Sequence, residues 1–332
     1  MRRAFIAVAM AAAAAFAIGG DAAAQMKLKA GHILPNTSDQ GMASEYFAQR
    51  IKALSNGAID VQVFHAGELG KSMPAQLENV VSGAQDFLID TFDYFKAWDP
   101  RFGVVNTPFV FRDREHFQKF LKSPLFADMV GTLEKRGVVF LGKTNYNWLR
   151  ASDRGVLSKK PVFVPDDLKG MKMRMFQAEA PIKAWAALGA NVQVIPWPDT
   201  YTALVTGTVD SLTGVVSASY LTKQTEVVRY FTNVQEYFQI IAPIMSERTW
   251  KKLTPAQQEM MNKAAIEAGE KYLEISREER DTMEYKARVE HGVSLIQPPV
   301  KPWQDAAKAL HAKFEAEGVL PKGLIAQVQA IQ

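Results

Sequence analysis

The chain has 332 residues, of which 48% are hydrophobic and 22% are charged, and it contains no cysteine. The lack of cysteine excludes disulfides, thiolate nucleophiles and thiolate metal sites. The formal net charge is +4, and the lysines and arginines are spread among acidic residues without a basic block. Because nucleic-acid binding normally requires a clustered basic face, this charge pattern does not favour it.

The start of the chain has the organisation of a secretory signal peptide. A basic start, MRR, precedes an apolar and alanine-rich run over residues 4–18, and an A-x-A site follows. We expect residues 1–24 to be removed by cleavage between Ala24 and Gln25, and the protein to be exported to the periplasm. No later stretch reaches the roughly 20 uncharged apolar residues that a membrane helix needs. The remaining chain, about 300 residues, is long enough to predict two domains.

The mature chain begins with strands and helices in alternation. The strand MKLKAGHIL is followed by a helix over residues 41–54, which Asn56 and Gly57 close. The strand IDVQVF, a helix over residues 73–82 and the strand DFLID continue the alternation. This spacing predicts parallel sheets in an α/β architecture.

The same alternation restarts in the middle of the chain. Helices are predicted over residues 180–188 and 199–206, closed by Gly189 and Gly207. A second α/β unit therefore follows the first without a flexible linker. Its predicted strands are VVFLGKTNYN (138–147), GMKMRMF (170–176), ANVQVIPW (190–197) and TVDSLTG (208–214).

A long helix is predicted after the second unit. Thr254 and Gln257 occupy the N-cap and N3 positions of a capping box, with a proline in the first turn. The helical pattern then continues past Gly269 as far as Gly292, which gives about 37 residues or ~55 Å. A helix of this length exceeds what one domain needs, so we expect it to lie across both domains.

Enzymatic and metal-binding motifs are incomplete or missing in the sequence. The segment VFHAGELGKS has GKS after a strand, but His65 stands where a phosphate-binding loop needs its first glycine. The five histidines show no pair at helical ligand spacing, and neither H-E-x-x-H nor G-x-S-x-G occurs. We therefore expect no metal and no cofactor, and we interpret VFHAGELGKS as a strand-to-helix turn.

Two arginines are candidates for binding an anionic ligand. Arg150 follows one strand of the second unit, and Arg174 lies at the carboxyl end of the next strand. Ligands of open α/β sheets bind outside the carboxyl ends of strands, which would aim both side chains at one crevice. A guanidinium pairs with a carboxylate through two parallel hydrogen bonds. The alternative is that each arginine is solvated or salt-bridged, as we expect for Lys172.

Aromatic residues near these arginines are candidates for the walls of a pocket. Phe176 shares the strand parity of Arg174, Trp197 ends the following strand, and Tyr146 precedes Arg150. A binding pocket usually combines apolar walls with a few placed polar groups, which these residues would supply. For Trp197, which is close to two prolines, the alternative is a role in the core or in a turn.

Four segments in the middle of the chain occur in an order and spacing that is typical of one family. They are PDDLKGMKMR, LGANVQVIP, DTYTALVTGTVDS and KQTEVVRYFT. The stretch that contains them, residues 165–232, resembles the solute-binding proteins of tripartite ATP-independent periplasmic (TRAP) transporters. GHIL, FHAGELG, TPFVF and LTPAQQEMMNKAA extend the resemblance to nearly the whole mature chain. It implies a two-domain periplasmic binding protein fold with a central ligand cleft and a long domain-crossing helix.

The resemblance also implies roles for individual residues. Arg174 matches the arginine that holds the carboxylate of the ligand in this family, and Arg150 matches a second arginine near that carboxylate. Trp197 matches a pocket aromatic, and Asn147 matches a polar residue ahead of Arg150.

The sequence departs from the family after the dipeptide VD. Many members have Gly-x-Glu-Asn there and use the last two side chains as polar ligand contacts, whereas this chain has SLTG. Thr213 and Gly214 thus remove a negative charge and an amide. Asp90 and Thr91 occupy a wall position that often carries an acid in sugar-acid binders. We expect a pocket poor in polar groups and rich in aromatics, which fits an apolar or aromatic monocarboxylate or a 2-oxo acid.

The sequence therefore predicts a periplasmic solute-binding protein, not an enzyme, that captures an organic acid and delivers it to TRAP permease subunits in the membrane. The expected domains are residues 25–147 with about 240–280, and residues 148–239 with about 281–332. We expect a monomer without a nucleic-acid partner. Two alternatives stay open, namely a binding protein of an ATP-driven importer and a secreted enzyme that acts on carboxylates.

Overall fold

The structure is a computed structural model that describes residues 25–142 and 146–332. The predicted signal peptide, residues 1–24, and residues 143–145 lie outside the described residues. The strands are β1 (Met26–Gly31), β2 (Ile59–Phe64), β3 (Phe87–Thr91), β4 (Val138–Phe140), β5 (Gly155–Ser158), β6 (Lys172–Met175), β7 (Asn191–Val194), β8 (Ser211–Gly214), β9 (Tyr230–Thr232), β10 (Ile241–Ser246) and β11 (Ser294–Ile296).

Helices cover most of the remaining chain. Short 3-10 helices lie at Phe92–Ala97, Pro100–Val104, Pro165–Leu168, Trp197–Asp199 and Gln224–Glu226. The α-helices are α1 (Asp39–Leu54), α2 (Met73–Ser82), α3 (Arg114–Leu121), α4 (Pro124–Glu134), α5 (Glu179–Ala187), α6 (Thr200–Val205), α7 (Val216–Leu221), α8 (Glu247–Trp250), α9 (Pro255–His291), α10 (Lys301–Ala316) and α11 (Leu324–Gln329).

The strands form two separate sheets. The first has the order β2–β1–β3–β10–β4, and the second has the order β11–β9–β5–β8–β6–β7. Strand β1 runs parallel to β2 and β3, and β6 runs parallel to β7 and β8. Helices and a hydrophobic core accompany each sheet, which confirms the predicted α/β class. The domain boundaries given above stay a prediction.

Both sheets are mixed rather than purely parallel, which corrects the expectation from the sequence. Strand β10 is antiparallel to β3 and β4, and β5 is antiparallel to β8 and β9. The chain enters β5 and β10 from two crossovers between the sheets, residues 146–154 and 233–240, rather than from a helix on the same sheet. The geometry that makes consecutive strands parallel, a helical return over one sheet, is therefore missing at both places.

The two crossovers run side by side between the sheets. Leu149 forms an antiparallel bridge with Ile240, and the amide of Arg150 donates to the carbonyl of Gln239 at 3.0 Å. The sequence had indicated that Arg150 follows a strand of the second unit. In the structure it lies instead in a crossover between the two sheets. The crossovers connect the two halves of the molecule at the base of the space between them.

Helix α9 has the predicted length and ends. It contains 37 residues, and the Thr254 side chain accepts from the Gln257 amide while the Gln257 side chain accepts from the Thr254 amide. Gly292 ends the helix with φ of 66°, a left-handed conformation that glycine adopts without strain. Ala265 packs in the core beside the first sheet and Ala287 in the core beside the second, so the helix crosses both halves. No helix in the described part of the chain is long and apolar enough to cross a membrane.

Candidate functional site

A cavity lies between the two sheets, where the carboxyl ends of β3 and β6 face each other. Its volume is about 70 Å³. Six of the residues singled out from the sequence line it together: Arg174, Arg150, Trp197, Phe176, Asp90 and Thr91. The other lining residues are Ile33, Leu34, Gln40, Asp93, Tyr94, Arg154, Val215, Ala218 and Gln239.

Arg174 lines the cavity and forms no ion pair among the described residues. It is 3% exposed, although the alternation of β6 predicts that it points away from the buried methionines. The reason is that both faces of β6 are covered at this point. Its Nε donates to the carbonyl of Ile195 at 2.7 Å, and within the described residues its two terminal nitrogens have no partner. Burial, with a smaller contribution from Arg154, lowers the pKa of Arg174 to about 10, which leaves it charged at neutral pH.

The indole of Trp197 forms a wall beside Arg174. The guanidinium carbon of Arg174 lies 5.3 Å from the ring centroid, a cation–π distance. A Cβ atom at Gly214 would lie 3.5 Å from the Trp197 ring, so the ring packs directly over the backbone of β8. Trp197 thus lines the cavity from the first position of a short 3-10 helix, and Gly214 lies beneath its ring.

Arg150 lines the cavity and is buried in an ion pair that uses the edge formed by its Nε and Nη2 atoms. Its Nε and Nη2 donate to the two carboxylate oxygens of Asp39 at 3.1 Å each, and Nη1 donates to Oε1 of Gln239 at 2.9 Å. Tyr272 and Ser276 of α9 donate to the same carboxylate at 3.0 and 2.9 Å. Through this ion pair Arg150 connects α1, α9 and the crossovers, and its expected role as a second carboxylate contact stays a prediction.

Arg154 is a second cation of the cavity that the sequence reasoning missed. Its Nε donates to Oε2 of Glu236 at 3.1 Å, and its Nη2 donates to Oγ1 of Thr213 at 3.0 Å. The ring of Tyr237 lies 4.6 Å from its guanidinium carbon. Thr213 therefore contributes by holding Arg154 and does not line the cavity itself. Strand β5, which follows Arg154, has four residues and no periodic signal, so the sequence pattern alone does not place this arginine.

Asp90 brings an unused acceptor to the opposite wall. It is 2% exposed, and its Oδ1 accepts from the amide of Thr91 at 2.7 Å. Its Oδ2 is buried and has no hydrogen-bond partner within the described residues. Burial raises the pKa of Asp90 to about 7, so that the carboxyl is close to half protonated at neutral pH. The group can accept a hydrogen bond when ionised and donate one when neutral.

Polar side chains also line the cavity. Asp93 accepts at Oδ2 from the Gln239 amide at 2.9 Å and from the Tyr237 hydroxyl at 3.3 Å. Gln40 donates to the carbonyl of Ile89 at 2.6 Å. These groups come from the start of α1, from the 3-10 helix after β3 and from the second crossover, segments that carry no pocket signal of their own. The first half of the molecule therefore contributes Asp90, Asp93 and Gln40 to the cavity, opposite the aromatic wall, and the expected polar-poor pocket stays a prediction.

Tyr146 and Asn147 lie outside this cavity. The Tyr146 ring packs edge-on against Phe126 at 5.0 Å, on the far side of the first sheet. The Asn147 side-chain amide donates to the carbonyl of Ile266 in α9 at 2.9 Å. Both residues stand at the start of the first crossover, and they fasten it to the first half of the molecule. The structure does not bring them together with Arg174.

The described residues contain no group of three or more His, Cys, Asp or Glu side chains that could hold a metal ion. The turn predicted in VFHAGELGKS is present between β2 and α2, and its Gly67 and Gly70 adopt positive φ. The cavity provides the guanidinium of Arg174, the carboxyl of Asp90 and an aromatic wall. This arrangement can bind an anion noncovalently.

The comparisons with known proteins agree with this arrangement. Residues 30–317 match the family of bacterial extracellular solute-binding proteins, family 7. The 2,3-diketo-L-gulonate-binding periplasmic protein of Escherichia coli K12 is 26% identical over 246 residues, which cover 74% of each chain.

Two solved structures are also similar to this chain. A TRAP periplasmic solute-binding protein of Pseudomonas putida F1 with bound D-glucuronate is 26% identical, with a TM-score of 0.83 and coverage of 92% of this chain and 98% of that one. A TRAP periplasmic solute-binding protein of Sulfurospirillum deleyianum with bound succinate is 26% identical, with a TM-score of 0.84 and coverage of 93% and 100%. The chain therefore belongs to family 7 of the bacterial extracellular solute-binding proteins, and it is a TRAP transporter solute-binding protein.

Proposed function

We propose that this protein captures an organic acid in the periplasm and delivers it to the membrane permease of a TRAP transporter. The observation that carries the proposal is the buried guanidinium of Arg174, which lines the cavity and whose terminal nitrogens have no partner among the described residues. A carboxylate that accepts from both nitrogens would neutralise this charge with the geometry that a guanidinium favours. D-glucuronate and succinate, the ligands of the two solved relatives, each carry a carboxylate, which supports this part of the proposal.

Binding in this proposal is noncovalent and includes no chemical step. Hydrogen bonds to a charged group contribute about 1.5 to 3 kcal/mol each, and micromolar affinity needs about 8 kcal/mol. Two bonds to Arg174 supply roughly half of that amount, so apolar contacts must supply much of the rest. Trp197 and Phe176 are the aromatic surfaces available for them.

For the body of the ligand we propose an apolar or aromatic monocarboxylate, including 2-oxo acids. The aromatic wall and the absence of a side chain at Gly214 support an apolar body. The unpartnered Oδ2 of Asp90 supports one polar group beyond the carboxylate. A 2-oxo group would accept a hydrogen bond from the O–H of neutral Asp90. The raised pKa of about 7 makes this neutral form available at neutral pH.

A thermal-shift screen tests this proposal. Aromatic monocarboxylates, aliphatic 2-oxo acids, dicarboxylates and uronic acids are compared as four groups with the wild-type protein. At a ligand concentration of 100 times Kd, binding contributes about 2.7 kcal/mol, which raises Tm by roughly 4 °C for a chain of this size. We expect the largest Tm shifts with the first two groups. In Trp197→Ala we expect the Tm shift to decrease more for aromatic acids than for aliphatic ones.

Two results would contradict parts of the proposal. Shifts confined to uronic acids would contradict the proposed apolar body of the ligand but would still agree with recognition of a carboxylate. If the protein unfolds cooperatively and no acid changes its Tm, the proposal that it binds a carboxylate is contradicted.

A further inference from the structure

A buried histidine stands directly beside the cavity wall and makes no contact with the cavity. His32 follows β1 and is fully buried, while the next two residues, Ile33 and Leu34, line the cavity. Its ring lies against His65, with 4.9 Å between the ring centroids. The proposed function uses neither histidine.

A chain of three hydrogen bonds connects this wall to the surface. The amide of Leu34 donates to Nδ1 of His32 at 3.3 Å, Nε2 of His32 bonds Nδ1 of His65 at 2.8 Å, and Nε2 of His65 bonds Glu45 at 2.9 Å. Glu45 belongs to α1, and its side chain is 46% exposed. The chain therefore begins at a backbone amide of the cavity wall and ends at a solvated carboxylate.

The direction of every bond in this chain follows from its first member. A backbone amide can only donate, so Nδ1 of His32 is the acceptor and Nε2 carries the proton. His65 must then accept at Nδ1 and donate from Nε2 to Glu45. Burial, supported by His65 and opposed by Asp39, lowers the pKa of His32 to about 3, which keeps the ring neutral as this arrangement requires.

The wall that His32 holds is an irregular loop under close packing. Residues 32–38 connect β1 to α1, and the carbonyl of Leu34 accepts from the amide of Ala66 at 2.8 Å. At the other end of the loop a Cβ at Gly41 would lie 2.5 Å from the carbonyl oxygen of Pro35. The loop thus has little freedom to move, and it places Gln40 as well as Leu34 at the cavity.

We propose that His32 is a positioning residue for ligand binding, which holds the apolar wall at Ile33 and Leu34 through its Nδ1 atom. This inference rests on the proposed function, since it assigns the wall to an apolar part of the bound acid. His65 and Glu45 orient the imidazole so that Nδ1 faces the Leu34 amide. Without this acceptor the amide is buried and unpaired, and the wall must shift to satisfy it.

Paired amide substitutions separate this role from simple packing. In His32→Asn the side-chain oxygen takes the place of Nδ1 and can still accept from Leu34. In His32→Gln the amide reaches the place of Nε2, towards His65, and leaves Leu34 without its acceptor. Both variants remove the ring, so they differ mainly in which of the two hydrogen bonds remains.

Two measurements are made on wild type and both variants. Hydrogen exchange of the Leu34 amide reports on the wall without any ligand, and calorimetry with phenylpyruvate, an aromatic 2-oxo acid, reports on binding. We expect His32→Gln to lose protection at Leu34 and to bind about tenfold more weakly, with His32→Asn close to wild type in both. Equal exchange or equal affinity in the two variants would overturn the inference.

The outcomes also separate this inference from the proposed function. If wild type itself fails to bind phenylpyruvate and every acid of the screen, the proposed function fails, while Leu34 exchange still decides whether His32 holds the wall. If the His32 variants do not fold, the same Asn and Gln pair at His65, which is more exposed, repeats the test one bond further out. There Asn again preserves the needed acceptor and Gln removes it.

Discussion

Arg174 and Asp90 are buried ionisable groups with unused hydrogen-bonding capacity, and they lie on opposite halves of the molecule. Among the described residues, the two terminal nitrogens of Arg174 and one carboxyl oxygen of Asp90 have no hydrogen-bond partner. The other two arginines at the cavity, Arg150 and Arg154, form buried ion pairs with Asp39 and Glu236. An unpaired buried charge costs stability, so its retention in a cavity is typical of a binding site.

The raised pKa of Asp90 predicts a pH dependence of stability. The pKa is about 7 in the folded protein and about 3.9 in an unfolded chain, so between pH 4 and 7 the folded state holds a proton that the unfolded state has released. The free energy of unfolding contributed by this group therefore falls as pH rises through that window, by up to about 4 kcal/mol. We expect Asp90→Asn to lose less stability than wild type between pH 4.5 and 7.5.

Urea unfolding at the two pH values, without ligand, measures this difference. Asp166→Asn is the matched control, because Asp166 is exposed and forms a surface ion pair with Lys169. Equal pH dependence in wild type and Asp90→Asn would show that Asp90 does not hold its proton in the folded state.

At the level of residues, the sequence predicted the groups that follow strand ends and missed those that depend on distant partners. Arg174, Phe176 and Asp90 lie where the ends of parallel strands meet, which a local pattern indicates. The roles of Arg150 and Arg154 depend on Asp39 and Glu236, which are 111 and 82 residues away along the chain. No local pattern contains such pairings.

At the level of elements, α9 shows how a single glycine lets two segments approach. A Cβ at Gly269 would lie 1.9 Å from Oδ1 of Asn147 and 2.6 Å from Trp148, so the first crossover passes directly over the helix backbone. The Trp148 indole donates to the carbonyl of Ala265 at 2.8 Å in the same place. The helix is thus joined to the crossover where the chain passes from the first sheet to the second.

Alanine substitutions at two helical glycines should therefore have opposite effects. Gly269→Ala must displace Asn147 and Trp148, and we expect it to destabilise the protein by about 1 to 3 kcal/mol. Gly131→Ala in α4 has nothing within 4 Å of the new Cβ, so we expect a gain of up to about 1 kcal/mol from helix propensity. Urea unfolding measures both variants, and a stabilising Gly269→Ala would contradict the close approach.

The sequence predicted long elements with end signals better than short ones. Helix α9 has a capping box at its start and a glycine at its end, and both act as expected. Strands β9 and β11 have three residues each. They are defined by their pairing with each other and by the pairing of β9 with β5. Strand β10 is buried along its whole length, which removes the alternation by which a strand is recognised.

At the level of the whole molecule, contacts across the cleft hold the two halves around the cavity. Lys96, in the first half, pairs with Glu179 at the start of α5 in the second. The rings of Tyr94 and Phe176 meet edge to face at 5.6 Å beside the cavity. The length and periodicity of the sequence predict two α/β units and a helix that crosses them. The antiparallel strands arise where the chain passes from one sheet to the other, and periodicity does not indicate those places.

The central claim is that Arg174 binds the carboxylate of an organic acid. Calorimetric titration with phenylpyruvate, or with the acid that the screen ranks first, tests it on wild type, Arg174→Gln and Lys172→Gln. Lys172 lies on the same strand, and its ammonium donates to the carbonyl of Gly207 away from the cavity. Loss of one partner of a buried charge pair costs 2 to 5 kcal/mol, so we expect Arg174→Gln to bind at least ~30-fold more weakly and Lys172→Gln to bind as wild type. Wild-type affinity in a folded Arg174→Gln variant would contradict the claim.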